Sequence, residues 1–413
     1  MHKPSWKHLL MVVALNACGE TTSPPASVSS EDAGGASATV DGGVIHTEER
    51  DAGDARDASE QERDAAVAWD ASLVDAAVTE RPDAAVRADA GTPDATQPST
   101  DAGALPLAQR CFADIARDPS EPGPDYDQFN PVIGSHCNGT NHQDIQGVER
   151  VVFLGDSVTV GTPPTASGDY YRARLADMLA ERFNLDAPSA AWKMSNPLSG
   201  VSGVMFSGDF ASCAKWGART DDLFRDNSQI ADCFPTEERN KKTLVVFTIG
   251  GNDIAALTKD HAHSPYNEAY ADVQEFVSLM RDAVTALKDP AQFPGGVYVM
   301  FGNMFEFTDG TGDVGSCPAA SAAGFTEPWD HPEDLASLVI WANEQFLKMA
   351  VDTGSDMIFM LEHFCGHGFN NEDPENRCYR GPNTPRWFDL TCIHPNPDGH
   401  DQIANMFMSL VTE

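Results

Sequence analysis

The sequence predicts a three-layer α/β/α domain built on a mostly parallel sheet, spanning residues 105–413 of a 413-residue chain. Three observations predict it. Short apolar runs lack the in–out alternation of a half-exposed strand, as expected for strands covered on both faces. Apolar residues at helical spacing lie between those runs. Polar, glycine-bearing loops follow directly on two of the runs, where open α/β sheets place their chemistry.

The elements follow in order. Val151-Val152-Phe153-Leu154 is the first strand and runs into Gly155-Asp156-Ser157. Tyr171, Leu175, Met178, Leu179 and Phe183 recur at helical spacing. Leu244–Ile249 is the second strand, followed by Gly250-Gly251-Asn252-Asp253. Val273, Phe276, Val277, Met280, Val284 and Leu287 mark a second helix, and Val297–Phe301 a third strand. Leu335, Leu338, Val339 and Phe346 mark a third helix, and Ile358–Leu361 a fourth strand. Ile403, Met406, Phe407 and Leu410 mark a terminal helix beginning after Gly399.

The N-terminal quarter reads differently. His2, Lys3, Lys7 and His8 precede Leu9–Ala17, an apolar stretch too short to span a bilayer, which reads as an export signal over residues 1–18. Leu15-Asn16-Ala17-Cys18 resembles a bacterial lipobox, which implies that Cys18 is lipidated. Gly19 after it points to the outer membrane; without lipidation the chain would be secreted. Residues 19–104 hold 19 acids and 5 bases with an irregular Asp-Ala phrase, and few large apolar groups. That composition predicts a disordered acidic tether.

The formal net charge is -36, and residues 105–413 carry 44 acids against 20 bases of it. This excludes nucleic acid as a partner, because phosphate contacts require basic side chains. Beyond Cys18 there are eight cysteines, an even number consistent with up to four disulfides in an exported protein. Cys213–Cys233 and Cys365–Cys378 are the attractive local staples; the other pairings stay open.

Three polar loops belong together. Ser157 supplies a hydroxyl, His394 in His394-Pro395-Asn396 an imidazole, and Asn252 a side-chain amide. Serine plus histidine makes a nucleophile and its base, and an amide with backbone N–H groups makes an oxyanion hole. In order, the blocks Phe153–Thr159, Trp216–Leu223, Ile249–Asp253 and Cys392–His400 resemble those of the SGNH (GDSL) hydrolases over roughly residues 150–410. The resemblance implies their variant of the flavodoxin-like fold and a carboxylic ester hydrolase needing no cofactor or metal. It makes Ser157 the nucleophile and His394 the general base. Ser157, Gly217 and Asn252 become the oxyanion donors. The substrate is then a small-molecule, lipid or glycan ester. A carbohydrate O-deacetylase or a thioesterase is the alternative on this scaffold, and a non-catalytic surface-binding lipoprotein the alternative outside it.

One departure stands out. The family places an aspartate three residues before the histidine, and here that position is Thr391. Asp389, two residues further upstream, reaches His394 around a reshaped loop, or another acid or a backbone carbonyl orients the ring, or the site is impaired. Thr391 could accept a hydrogen bond but supplies no charge.

Other candidates read as ordinary structure. Glu362, His363, Cys365 and His367 are close in sequence, but an oxidised cysteine is no metal ligand. His400 closes the last loop, His136 and His142 are surface or rim residues, and Asn303 and Glu306 follow the third strand within reach of substrate. The stretch holding Trp192, Met194, Met205 and Phe206, with residues 302–334 and 362–388, could form a rim or cap.

Overall fold

The computed structural model describes residues 105–115, 123–225, 228–323, 325 and 328–413. The export signal, Cys18 and the tether lie outside them. In chain order the elements are α1 (Leu107–Cys111), β1 (Arg150–Gly155), α2 (Ser157–Val160), α3 (Tyr171–Phe183) and α4 (Ala190–Lys193). Four short strands come next: β2 (Ser195–Asn196), β3 (Val201–Ser202), β4 (Phe206–Ser207) and β5 (Phe210–Ser212). Then follow α5 (Gln229–Cys233), β6 (Thr243–Thr248), α6 (Gly251–His261), α7 (Tyr266–Leu287), β7 (Val297–Gly302), α8 (Pro332–Thr353), β8 (Asp356–Ile358), α9 (Met360–Phe364) and α10 (Pro397–Thr412).

The main sheet has the order β4-β5-β1-β6-β7-β8. Every pairing from β5 to β8 is parallel, and only the edge strand β4 runs antiparallel. Helices flank this sheet: α3 packs on α10, and α7 packs on α6 and α8. Val151, Val152, Phe153 and Leu154 are all fully buried, which explains the unbroken apolar run. Burial of each such side chain stabilises the fold by roughly 1.5–3 kcal/mol.

Two sequence expectations need correction. The run Ile358–Leu361 is not one strand: β8 ends at Ile358 and α9 starts at Met360. The chain leaves the sheet there because Phe359 N–H donates to Asn138 O and Phe359 turns away at φ -89°, ψ 63°. The terminal helix starts earlier than expected, at Pro397, because Asn396 Oδ1 caps Gly399 N–H and proline is well placed in a first turn.

Four disulfides join Cys111–Cys137, Cys213–Cys233, Cys317–Cys392 and Cys365–Cys378. The two local staples expected from sequence are among them. Arg172 is fully buried, with no carboxylate partner among the described residues. Its guanidinium instead donates to the carbonyls of Thr159, Val160, Trp192 and Lys193 and lies over the Trp192 ring. That fixes the start of α3 against the turn that carries Ser157.

Candidate active site

Ser157 stands at the first turn of α2, immediately beyond β1. The turn is tight because Gly155 has φ 112°, and a Cβ there would lie 2.1 Å from Thr248 O. No residue with a side chain fits that approach. Gln229 clamps the Gly155 peptide from both sides, accepting its N–H at 2.6 Å and donating to its carbonyl at 2.9 Å. Asp156 caps α2 by accepting Val158 N–H at 2.9 Å. Burial pushes the Asp156 carboxyl up to about 7, against the pull of that hydrogen bond.

The turn bearing Gly217 and the first turn of α6, which bears Asn252, are locked to each other. Asn252 Nδ2 donates to Ala218 O at 2.9 Å, and Asp253 Oδ1 accepts from Thr220 Oγ1 at 2.9 Å. Lys215 N–H donates to Gly155 O at 3.0 Å, which ties the same turn to the nucleophile loop. Gly217 sits in this turn at φ 76°. Among the described residues, neither its N–H nor that of Ser157 has a protein acceptor. One amide side chain and two open N–H groups thus stand on two helix starts and a turn beyond the ends of the parallel strands.

His394 is buried, with Nε2 2.8 Å from Ser157 Oγ. Burial lowers its imidazole to about 4, so the ring is neutral at pH 7. Its other nitrogen does not meet a carboxylate. Nδ1 is 2.8 Å from Thr391 Oγ1, and Thr391 Oγ1 is in turn 2.5 Å from Asp389 Oδ1. Asp389 therefore does not reach around to the ring; a hydroxyl stands between. Asp389 Oδ1 also accepts Thr391 N–H at 2.7 Å, an Asx-type turn. Asp389 N–H donates to His394 O at 2.9 Å, closing the 389–394 loop. The disulfide to Cys317 holds this loop at Cys392, which has φ 74°.

Ser157 and His394 open onto a cleft of ≈ 1160 Å³, counting solvent at its mouth. Its walls are mainly apolar, drawn from the segments after β6 and β7, from α8 and from the His394 loop. Met304, Phe305, Phe307, Val314, Phe325 and Arg377 line it, so segments 302–334 and 362–388 contribute to its wall. Asp309 joins those two segments by accepting the N–H groups of Gly366, Gly368 and Asn370.

Several expected rim residues lie elsewhere. Trp192 is core, and Met194, Met205 and Phe206 are exposed away from the cleft lining. Asn303 lines the cleft but is buried, and its side chain is spent on the fold, donating to Tyr126 Oη and Glu362 Oε2 and accepting Leu361 N–H. Glu306 lines the cleft but holds its own loop through Thr308 and Gly310. His363 contacts Cys137 O, and His367 stacks on Trp387 at 3.5 Å. His400 accepts Tyr171 N–H, joining α10 to α3. His136 pairs with Glu413, and His142 Nδ1 meets Ser355 O at 2.7 Å. Sequence reading missed Gln229 as the clamp on Gly155 and Thr391 as the bridge. No motif marks Gln229; the Thr391 signal was a hydroxyl residue where an acid was expected.

The family model of the GDSL-like lipases and acylhydrolases matches residues 151–407. Similar solved structures include a phospholipase A1 from Streptomyces albidoflavus NA297, 18% identical with a TM-score of 0.39, covering 64% of this chain and 99% of its own. An acetyl xylan esterase is 18% identical with a TM-score of 0.38, covering 63% and 99%. A carbohydrate acetylesterase from Sinorhizobium meliloti is 13% identical with a TM-score of 0.34, covering 63% and 99%. No curated protein matches the chain.

Proposed function

Because the chain belongs to the family of GDSL-like lipases and acylhydrolases, we propose that it hydrolyses carboxylic esters through an acyl-enzyme on Ser157, with a preference for apolar acyl chains. The observation that carries this reading is the 2.8 Å contact of His394 Nε2 with Ser157 Oγ at the mouth of an apolar cleft.

In this mechanism His394 Nε2 takes the Ser157 proton as Oγ attacks the ester carbonyl. The oxyanion of the tetrahedral intermediate is held by Ser157 N–H, Gly217 N–H and the Asn252 amide. Collapse breaks the C–O bond, and the imidazolium returns its proton to the departing alcohol. Water, deprotonated by His394, then attacks the acyl-enzyme and releases the acid and free Ser157. Asp156 shapes the loop and takes no part in the proton transfers. Neutral His394 at pH 7 is the form this first step requires.

The apolar walls favour a chain of several carbons over an acetyl group on a sugar, which would prefer a polar cleft. They suit a thioester acyl group equally. We further propose that residues 105–413 form the catalytic domain, that Cys18 carries a lipid and that residues 19–104 hold the domain off a membrane. Metabolic labelling with radioactive palmitate tests the anchor: wild type takes up label and Cys18→Ser does not, while equal labelling sinks it. The ester reading is tested with p-nitrophenyl esters from acetyl to dodecanoyl. Turnover rising with chain length supports it; turnover on no ester shifts the reading to a binding protein.

A further inference from the structure

We propose that Thr391 is a positioning residue, a hydroxyl relay that joins Asp389 to His394 where a direct carboxylate contact would otherwise be. The inference rests on the hydrolase reading above and concerns how its base is oriented.

The direction of the hydrogen bonds follows from counting protons. Asp389 Oδ1 faces Thr391 N–H at 2.7 Å and Thr391 Oγ1 at 2.5 Å. An ionised carboxylate only accepts, so the single hydroxyl proton of Thr391 goes to Oδ1. Thr391 Oγ1 then meets His394 Nδ1, 2.8 Å away, with a lone pair. Nδ1 must therefore carry the ring proton. That leaves Nε2 bare at 2.8 Å from Ser157 Oγ, the tautomer that accepts the serine proton. Four groups form one chain of donors running from Ser157 to Asp389. Reversing it would need a proton on Oδ1, where Thr391 N–H already points.

The relay also carries charge. When His394 becomes an imidazolium, the carboxylate lies at roughly twice the distance of a direct contact, which leaves about half the Coulomb attraction. The hydroxyl between them polarises in the same sense.

Burial supplies a further consequence. Asp389 Oδ2 is buried with no hydrogen-bond partner among the described residues. Burial pushes the carboxyl up to about 6, with the two Thr391 hydrogen bonds opposing it. A proton arriving on Oδ2 removes the charge while leaving the Oδ1 contacts in place. No charged neighbour contributes to that shift. Among the described residues the other titratable or charged groups around the site are Asp156 next to Ser157, Asp253 next to Asn252, His400 on α10, Glu306 and Arg377 in the cleft wall, and Asp309 behind Glu306. Of these, Asp156, Asp253 and Asp309, each pushed up to about 7 by burial, are the competitors for a mildly acidic transition.

The test is kcat and KM against pH, from about 4.5 to 8.5, on a p-nitrophenyl ester. Wild type loses kcat/KM as pH falls through about 6. Thr391→Val keeps the shape but loses the hydroxyl. It lowers kcat roughly 10- to 100-fold at pH 7.5 with KM little changed, and its acid limb moves well below 6. Thr391→Ser restores both rate and limb. Asp389→Asn behaves as Thr391→Val does, and the double variant is no worse than either single. A Thr391→Val protein with wild-type kcat and limb overturns the relay, as does a limb near 6 that survives Asp389→Asn, which would belong to another buried carboxyl such as Asp156 or Asp253. Ser157→Ala with undiminished turnover would instead overturn the hydrolase reading. Nitrogen-15 NMR of labelled histidine needs no substrate and separates the two cases. Wild type shows His394 protonated at Nδ1 and Thr391→Val shows mixed tautomers; identical tautomers in both overturn the relay whatever the esterase result.

Discussion

Replacing both Cys317 and Cys392 by alanine should lower stability and turnover together, by two separately measurable routes. The two half-cystines are buried and 75 residues apart in sequence. Opening a loop of that size returns chain entropy to the unfolded state worth about 4 kcal/mol at 25 °C. Cys392 has a left-handed φ of 74°, but alanine has the same Cβ and adds no new backbone cost there. Urea denaturation should therefore show a midpoint lowered by about 1.3–4 M, given a slope of roughly 1–3 kcal/mol/M. The same change frees the loop two residues before His394, so kcat should fall even in buffer where the variant is fully folded. A misplacement of about 1 Å at a catalytic group costs on the order of 10²-fold. The assay is an unfolding curve paired with ester turnover well below the midpoint. A variant with unchanged midpoint would refute the loop-entropy argument. One that is less stable but retains full kcat would refute the claim that the disulfide positions His394.

Two further outcomes follow from the site. Asn252→Ala removes one oxyanion donor and should lower kcat roughly 10²- to 10³-fold with KM little altered, read by steady-state kinetics; equal kcat would remove Asn252 from the hole. Val339→Trp fills the apolar wall contributed by α8, so the preference for octanoyl over acetyl esters should fall at least about 10-fold. An unchanged preference would place the acyl chain elsewhere.

How much was legible depended on which residues carry information locally. Unbroken apolar runs marked β1, β6 and β7 because these central strands are covered on both faces. Strand β5, Phe210–Ser212, was invisible because three residues give no period; it is a strand because it pairs with β1. Helix α6 was hidden for a related reason. Its Gly-Asn-Asp start reads as a loop, and Gly250 at φ 106° sets the entry. Ser157, Asn252 and His394 were readable as motif positions because each follows a strand or precedes a helix, and Gly217 only through the family resemblance of its block. Thr391 was not, since its role comes from the fold of one turn. Asp389 turns back on Thr391 N–H, and only that geometry places the hydroxyl under Nδ1.

The proposed hydrolysis requires a covalent bond at Ser157. The direct measurement is mass spectrometry of protein quenched with acid during turnover of a p-nitrophenyl acyl ester. The account predicts one acyl group on the peptide containing Gly155-Asp156-Ser157 in wild type and none in Ser157→Ala, whose turnover falls by at least about 10³-fold. Full turnover by Ser157→Ala, or an acyl adduct on a different residue, would contradict it.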